Sequence, residues 1–268
     1  MEETYEMEYV SYKNILDKLD KVKRGDIVYV ISDVLELAKV SKIYAEKFDA
    51  QLFLNTIIQK VGQEGTVLLP TFNWGFCEGK LYDYRKTPGK TGALGNVALK
   101  CTGFKRTNHP IYSFAVWGKK QKELCEIDTE DCFGEGTVFD YLYKHNAKAL
   151  VIGLNALEGL TMVHYVEQKV GVFYRYFKEF EGIYIDSEGQ EKIKRVRMYV
   201  RDLDIDPEED MERLSQILET LKISETQVIN GIPFRTVLLE YVCQIVRMDI
   251  ELNGSKNLYR FKNTGMDM

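Results

Sequence analysis

The sequence has little of what would mark a chain as something other than an ordinary folded protein. Its 268 residues include five prolines, three histidines and five cysteines. So few prolines leave little room for disordered linkers. The cysteines (Cys77, Cys101, Cys125, Cys132 and Cys243) contain no close pair at metal-ligand spacing, and their odd number excludes a complete disulfide scheme. Free thiols in a reducing cytoplasm are expected, and no metal. No apolar run reaches the roughly 18 residues of a membrane span. The start, Met1-Glu2-Glu3-Thr4-Tyr5-Glu6, is acidic where a signal peptide would be basic, so a cytoplasmic protein without a membrane partner is expected. Positive charge is also in deficit, with a net charge of −5, which argues against nucleic acid as a partner. The excess is too mild to identify a cationic substrate.

What is present is an alternation of short apolar strands and amphipathic helices. Ile27-Val28-Tyr29-Val30-Ile31, Thr66-Val67-Leu68-Leu69-Pro70 and Ala149-Leu150-Val151-Ile152-Gly153-Leu154 read as strands buried on both faces. A further strand is expected at Ser113–Trp117. Helices are expected over residues 9–22, from Phe53 to Val61, from Asn96, over Lys119–Glu130, over Val138–Tyr143 and over Leu160–Tyr174. This order specifies an α/β fold, a three-layer-like sandwich with a mainly parallel central sheet. After residue 176 the pattern changes. Phe180–Ile185 and Ile193–Arg201 alternate around an Asp186-Ser187-Glu188-Gly189 turn, and helices are expected over Glu208–Leu221 and Phe234–Val246. The whole chain, residues 1–268, therefore reads as a single domain. Its catalytic core spans about residues 10–176, and residues 177–268 form a C-terminal antiparallel hairpin and helix appendage.

Chemistry concentrates between Thr91 and Glu167. His164 and Glu167, three apart on a predicted helix, share a face. A carboxylate beside an imidazole orients the ring, selects its tautomer and raises its basicity, which suits removing a proton from an incoming nucleophile. A solvated surface pair or half of a metal site would give the same spacing. His109, before Pro110 in a loop entering a strand, either faces the site or caps the strand. Ser32-Asp33 follows the first strand at a helix start, where backbone N–H groups can meet an anion. Thr71-Phe72-Asn73-Trp74-Gly75-Phe76-Cys77-Glu78-Gly79 leaves the carboxyl end of the second strand, where open sheets place ligands. Lys80, Arg85, Lys86 and Lys90 then make its continuation basic.

Several pieces carry a resemblance together: Leu68-Leu69-Pro70-Thr71, Thr91-Gly92-Ala93-Leu94-Gly95, Asn108-His109-Pro110 with Ser113–Gly118, Phe133-Gly134-Glu135-Gly136-Thr137, and Leu160–Glu167. In this order and spacing the chain resembles the aminoglycoside 3-N-acetyltransferase family, the antibiotic N-acetyltransferase fold. The resemblance implies transfer of an acetyl group from acetyl-CoA, the co-substrate, to an amine of an amino sugar. It implies His164 as the base, Glu167 as its partner and Thr161 one turn before them. It also implies CoA contacts along Ser32, Asp33 and Val34 and along Thr91, Gly92, Ala93 and Leu94, with His109 adjoining. The sequence departs from the antibiotic-modifying pattern, a His-Ser/Thr-Ser motif, at Ile31-Ser32-Asp33, where Asp33 brings negative charge to the phosphate position. Thr71, Asn73, Trp74, Tyr82 and Asp83 are the acceptor candidates. Because their loop is basic and aromatic, the favoured acceptor is a nucleotide-linked amino sugar of surface-polysaccharide biosynthesis, its base stacking on Trp74, Phe76 or Tyr82. An aminoglycoside antibiotic, a non-catalytic CoA-binding relative and a hydrolase are the other readings, and a homodimer stays open.

Overall fold

The computed structural model describes residues 8–154, 157 and 159–261. A 3-10 turn (Ile15–Lys18) precedes β1 (Ile27–Ser32), α1 (Leu35–Ile43), α2 (Ala50–Val61) and β2 (Thr66–Pro70). A second 3-10 turn (Trp74–Glu78) leads to β3 (Tyr82–Asp83), α3 (Ala93–Ala98), β4 (Lys105–Arg106), β5 (Phe114–Gly118), α4 (Gln121–Glu126), α5 (Val138–Lys144), β6 (Lys148–Ile152) and α6 (Met162–Val170). The remaining elements are β7 (Arg175–Ile185), β8 (Glu191–Arg201), β9 (Glu208–Glu209), α7 (Glu212–Thr220), β10 (Ser224–Ile229), β11 (Ile232–Leu238), α8 (Leu239–Asn253) and β12 (Tyr259–Arg260).

Among the described residues the central sheet has seven strands in the order β10-β11-β6-β1-β2-β5-β4. β1 lies in its middle, parallel to β6 from Val28↔Lys148 to Ser32↔Ile152 and parallel to β2 from Ile27↔Thr66 to Tyr29↔Leu68. The outer pairings are antiparallel, so β5 and β11 run against the other five strands. The apolar runs are continuous because both faces of the sheet are covered. Val28, Val30, Val67, Leu69, Leu150 and Ile152 pack toward α1, α2 and α3. Tyr29, Ile31, Leu68, Ala149 and Val151 point to the opposite face, under α5, α6 and α8. Each large side chain buried in this way contributes roughly 1.5–3 kcal/mol of apolar transfer free energy. The α/β three-layer arrangement is therefore the one expected, with the hairpin β7–β8 (Arg175↔Arg201 to Ile185↔Glu191) attached through the two-residue β3.

Several segments differ from the expectation, among them Lys119–Glu130, where only Gln121–Glu126 is helical. Residues 9–22 form only the Ile15–Lys18 turn, although Ile15, Leu16, Leu19 and Val22 are buried as a helix face would be. The helix expected over Glu208–Leu221 begins at Glu212, with Glu208–Glu209 paired to β12 instead. α6 runs from Met162 to Val170 and stops because Gly171 adopts a left-handed φ of 79°. The helix expected over Phe234–Val246 is divided. Ile232–Leu238 is a strand between β10 and β6, and only from Leu239 does the chain coil into α8. Val237-Leu238-Leu239 fits either period, and pairing with β6 decides it.

The carboxyl ends of β1, β2 and β6 meet at glycines that admit no side chain. A Cβ on Gly95 would lie 2.2 Å from Pro70 O, so α3 rests directly on the end of β2. Helix propensity alone would favour alanine there. A Gly95→Ala variant is nevertheless expected to lose about 1–3 kcal/mol through overpacking, read as a lower midpoint in urea denaturation. An unchanged midpoint would mean that α3 is free to lift off the strand.

Candidate active site

α6 follows β6 across the sheet and brings His164 and Glu167 to its inner surface. Glu167 is wholly enclosed, with 0% of its side chain exposed, whereas 23% of the His164 side chain remains open. His164 Nδ1 lies 2.7 Å from Glu167 Oε2, and the imidazole edge packs on Phe133 at a ring separation of 5.4 Å. The sequence pair is thus a real contact, and a helical spacing of three accounts for it.

The structure adds a third member. Arg175, the first residue of β7, places Nε 2.8 Å from Glu167 Oε2 as an ion pair, without the alignment of a hydrogen bond. Its Nη2 lies 3.1 Å from His164 Nδ1 and donates to Tyr259 Oη at 3.2 Å, while Nη1 donates to Tyr199 O at 3.3 Å. Burial by itself would push the Glu167 carboxyl up. His164, Arg175 and the Tyr259 hydroxyl more than offset this and hold it below the ordinary carboxylate range. An ionised carboxylate 2.7 Å from Nδ1 requires the ring proton on Nδ1, which leaves Nε2 as a lone-pair acceptor. Nε2 makes no hydrogen bond among the described residues. Neither Arg175 nor Tyr259 was distinguishable in the sequence, since one falls between the expected helix and the expected hairpin and the other lies 92 positions beyond Glu167.

Thr161 stands at the α6 N-terminus but does not reach the pair. Its Oγ1 donates to Gly159 O at 3.3 Å, and the Tyr29 hydroxyl faces it from β1. His109 turns inward. Nδ1 accepts from the amides of Ile111 and Tyr112 at 3.1 and 3.0 Å, which caps the entry to β5. Burial, with Lys194 nearby, pushes its pKa down to about 3, so it is neutral. These contacts match the strand-capping alternative.

The segments expected along CoA do converge. Gly92 has φ 67° and its absent Cβ would stand 3.1 Å from Ser32 O, while a Cβ on Gly153 would meet Asp33 O at 2.3 Å. Gly92 and Ala93 are open to solvent and Thr91 is half-buried, whereas the Leu94 and Val34 side chains are buried. The α1 entry fits an anion less well. The Asp33 amide donates to Ile152 O, and the Asp33 carboxylate itself takes the Leu35 amide at 2.9 Å. A carboxylate already sits where a phosphate would accept.

The acceptor candidates separate into framework and surface. Thr71 is fully buried with Oγ1 2.8 Å from Ser113 Oγ. Tyr82 is buried and stacked on Tyr184 at 5.4 Å. Asn73 caps the 3-10 turn through Gly75 N at 2.8 Å and donates to Pro88 O. Asp83 is buried and accepts from the amides of Arg85 and Lys86. Only Trp74 is open, at 38% exposure. It leans on Tyr112 (6.4 Å), which touches Phe133 (4.7 Å), so successive rings lead from Trp74 to His164. Arg106, not singled out in the sequence, pins this loop. It is buried and donates to the carbonyls of Thr71, Tyr84 and Thr87 and to Ser113 Oγ. Among the described residues no group of three or more His, Cys, Asp or Glu could hold a metal, and no helix is long and apolar enough to cross a membrane.

The charge state of Glu167 gives a stability test. Its folded pKa is lowered, so its contribution is complete above the unfolded carboxylate value of about 4.3 and is lost as pH falls through the folded value. Wild-type protein is expected to lose thermal stability over that acid range. Glu167→Gln, less stable at neutral pH, is expected to lose markedly less, and parallel acid limbs in scanning calorimetry would contradict the ionised assignment.

The model of the family described as aminoglycoside 3-N-acetyltransferase matches residues 38–248. In sequence, the chain is 25% identical over 173 residues to the SPbeta prophage-derived aminoglycoside N(3')-acetyltransferase-like protein YokD of Bacillus subtilis (strain 168). That match spans 56% of this chain and 61% of the relative. In structure, the chain is similar to AAC-IIIb in its binary complex with CoASH, with a TM-score of 0.72, 17% identity and coverage of 91% of this chain and 96% of that one. It is also similar to AAC-VIa bound to sisomicin in the room-temperature neutron/X-ray structure, with a TM-score of 0.75, 16% identity and coverage of 92% and 99%. At these identities the structural likenesses speak for the fold. The family match takes in the strands from β2 to β11, the glycine segment and the His164–Glu167 helix alike, and the chain belongs to the aminoglycoside 3-N-acetyltransferase family.

Proposed function

We propose that this protein transfers the acetyl group of acetyl-CoA to an amine of an aminoglycoside-type amino sugar, with His164 as general base and Glu167 as its oriented counter-charge. The observation that carries this reading is the 2.7 Å contact between His164 Nδ1 and an enclosed carboxylate. It leaves Nε2 as the basic atom of a partly exposed ring. Family membership supports the reaction type, the CoASH-bound neighbour supports the donor, and the sisomicin-bound neighbour supports an amino-sugar acceptor.

In this scheme acetyl-CoA supplies the acetyl group as a thioester, lying along Thr91, Gly92 and Ala93. The acceptor nitrogen forms the new C–N bond as the C–S bond breaks, its proton passes to His164 Nε2, and the imidazolium then gives that proton to the departing thiolate, which leaves as the CoA thiol. Proton transfer creates an imidazolium. Glu167 stabilises it across Nδ1, and Arg175 keeps Glu167 ionised in the interval. Phe133 holds the ring plane, and Trp74 offers an apolar face to the sugar.

The basic loop argues less for a nucleotide-linked acceptor than its composition did. Lys80 pairs with Glu78, Lys86 lies 3.6 Å from Asp83, and Arg85 donates Nε and Nη2 to Ser187 O. Phe76 and Tyr82, expected to stack on a base, are buried. The loop's cations are largely occupied at home, and the aminoglycoside alternative is the better supported.

Mass spectrometry of products formed from acetyl-CoA with a mixed panel of aminoglycosides and amino-sugar nucleotides tests the reading. Acetylated aminoglycoside is expected, and product formed only from nucleotide sugars would overturn the acceptor. His164→Ala is expected to lower kcat by about 10²–10⁴ and, because it takes a donor from the enclosed Glu167 carboxylate, to lower the thermal midpoint as well; full activity in that variant would sink the mechanism. Arg175→Ala leaves a buried carboxylate without its cation and is expected to cost about 3–5 kcal/mol of stability, measured by urea denaturation.

A further inference from the structure

The chain leaves the parallel strands β1 and β6 in opposite directions. Beyond β1 it passes to α1 and α2 on one face of the sheet, and beyond β6 to α6 on the other. Such a divergence opens a crevice at the carboxyl ends of the two strands, where open α/β sheets take their ligands. Its rim is bare backbone. Gly92 stands against Ser32 O, Gly153 against Asp33 O and Gly159 against the Ile31 side chain, where an added Cβ would lie 3.1, 2.3 and 3.3 Å away. His164 is in the first turn of α6, which starts three residues after Gly159. The start of α1 adjoins the crevice and brings a charge of its own. Asp33 is exposed, and its carboxylate accepts the Leu35 amide at 2.9 Å. Lys39, within electrostatic reach of Asp33, is paired with Glu36 at 2.6 Å. The α1 entry therefore sets two carboxylates against one ammonium.

We propose that Asp33 decides which part of the thioester donor is recognised. Its carboxylate holds the anion position at the α1 N-terminus and repels phosphate, so the donor is gripped along its uncharged pantetheine arm and its nucleotide phosphates stay in solvent. The inference rests on the acetyltransferase reading above and extends the donor class to acetyl thioesters that carry the pantetheine arm without the nucleotide. A phosphate seated at a helix start gains from free amides and from the helix dipole. Here the Leu35 amide is taken and the dipole is already complemented by a fixed negative charge. A phosphate brought to the same place meets like-charge repulsion instead. The pantetheine arm has amides and a hydroxyl but no charge, so it pairs with open backbone such as that of Gly92 and Ala93 without this penalty.

Steady-state kinetics with acetyl-CoA and acetyl-pantetheine at low ionic strength test this, with Asp33→Asn as the principal variant. The asparagine carboxamide can still accept the Leu35 amide, so the start of α1 is kept and only the charge is removed. In the wild type the two donors are expected to have KM values within about threefold of one another, because the phosphates add no net attraction. In Asp33→Asn the KM for acetyl-CoA is expected to fall about five- to tenfold while that for acetyl-pantetheine does not move. The difference is expected to shrink as salt is raised to about 1 M. Should Asp33→Asn fail to fold, Asp33→Ser also caps the helix and carries the same expectation. A wild-type KM for acetyl-pantetheine more than about tenfold above that for acetyl-CoA would overturn the inference. So would an unchanged KM for acetyl-CoA in the variant, or a fall of equal size for both donors. Added Mg²⁺ that lowers the acetyl-CoA KM in the wild type but not in Asp33→Asn would also overturn it, because Asp33 would then draw phosphate in through a cation. A wild type that transfers acetyl from neither donor would instead count against the proposed function. Isothermal titration of both proteins with CoA and with pantetheine would then still decide the role of Asp33, with tighter CoA binding in the variant and equal pantetheine binding expected, and no difference for CoA overturning it.

Discussion

A carboxylate sealed from water organises this molecule's candidate site. Enclosing the charge of Glu167 is costly unless opposite charge is brought to it at close range. His164 supplies a donor from the same helix and Arg175 supplies a cation from the start of the hairpin. Everything that fixes those two residues is therefore part of the site. Gly171 ends α6 so that the chain can turn back within a few residues and deliver Arg175. Phe133 fixes the imidazole plane from the segment between α4 and α5. The hairpin, attached to the body through Tyr82 and Tyr184, gives Arg175 a rigid strand to stand on.

A second buried charge does corresponding work for the loop after β2. Arg106 satisfies its guanidinium with carbonyl and hydroxyl oxygens of residues 71, 84, 87 and 113 and lies over the Tyr82 ring at 5.1 Å. That arrangement fixes the loop's inner face, so Thr71, Asn73, Tyr82 and Asp83 become scaffold and Trp74 is left at the surface. The same economy explains the loss of free positive charge. In a folded loop with carboxylates and carbonyls in reach, lysines and arginines find local partners before any ligand arrives.

At the α1 entry one residue changes the local electrostatics. Asp33 caps the turn with its own carboxylate by taking the Leu35 amide. The opposite side, where Gly92 stands against Ser32 O, keeps an open backbone. A donor molecule bound here would meet amides from the glycine side and negative charge from the strand side.

Much was legible along the chain because it depends on neighbours in sequence. Three β-branched runs buried on both faces required a covered, largely parallel sheet, and a His-x-x-Glu spacing on a helix required contact between the two side chains. The hairpin after residue 176 followed from its alternation and its Asp-Ser-Glu-Gly turn. Other features were settled by partners far away in sequence. Ile232–Leu238 became a strand because β6 offered it an unpaired edge, and residues 9–22 stayed largely uncoiled while burying the same apolar side chains. Arg175 and Tyr259 became site residues only when β7 and β12 were brought to α6. A loop's net charge says little about its ligand, since it does not reveal which charges are already paired. Local periodicity determined which residues had to be inside and that His164 would touch Glu167. Packing alone decided what else touches that carboxylate, because a buried charge takes its partners from whatever the fold places within a few ångströms.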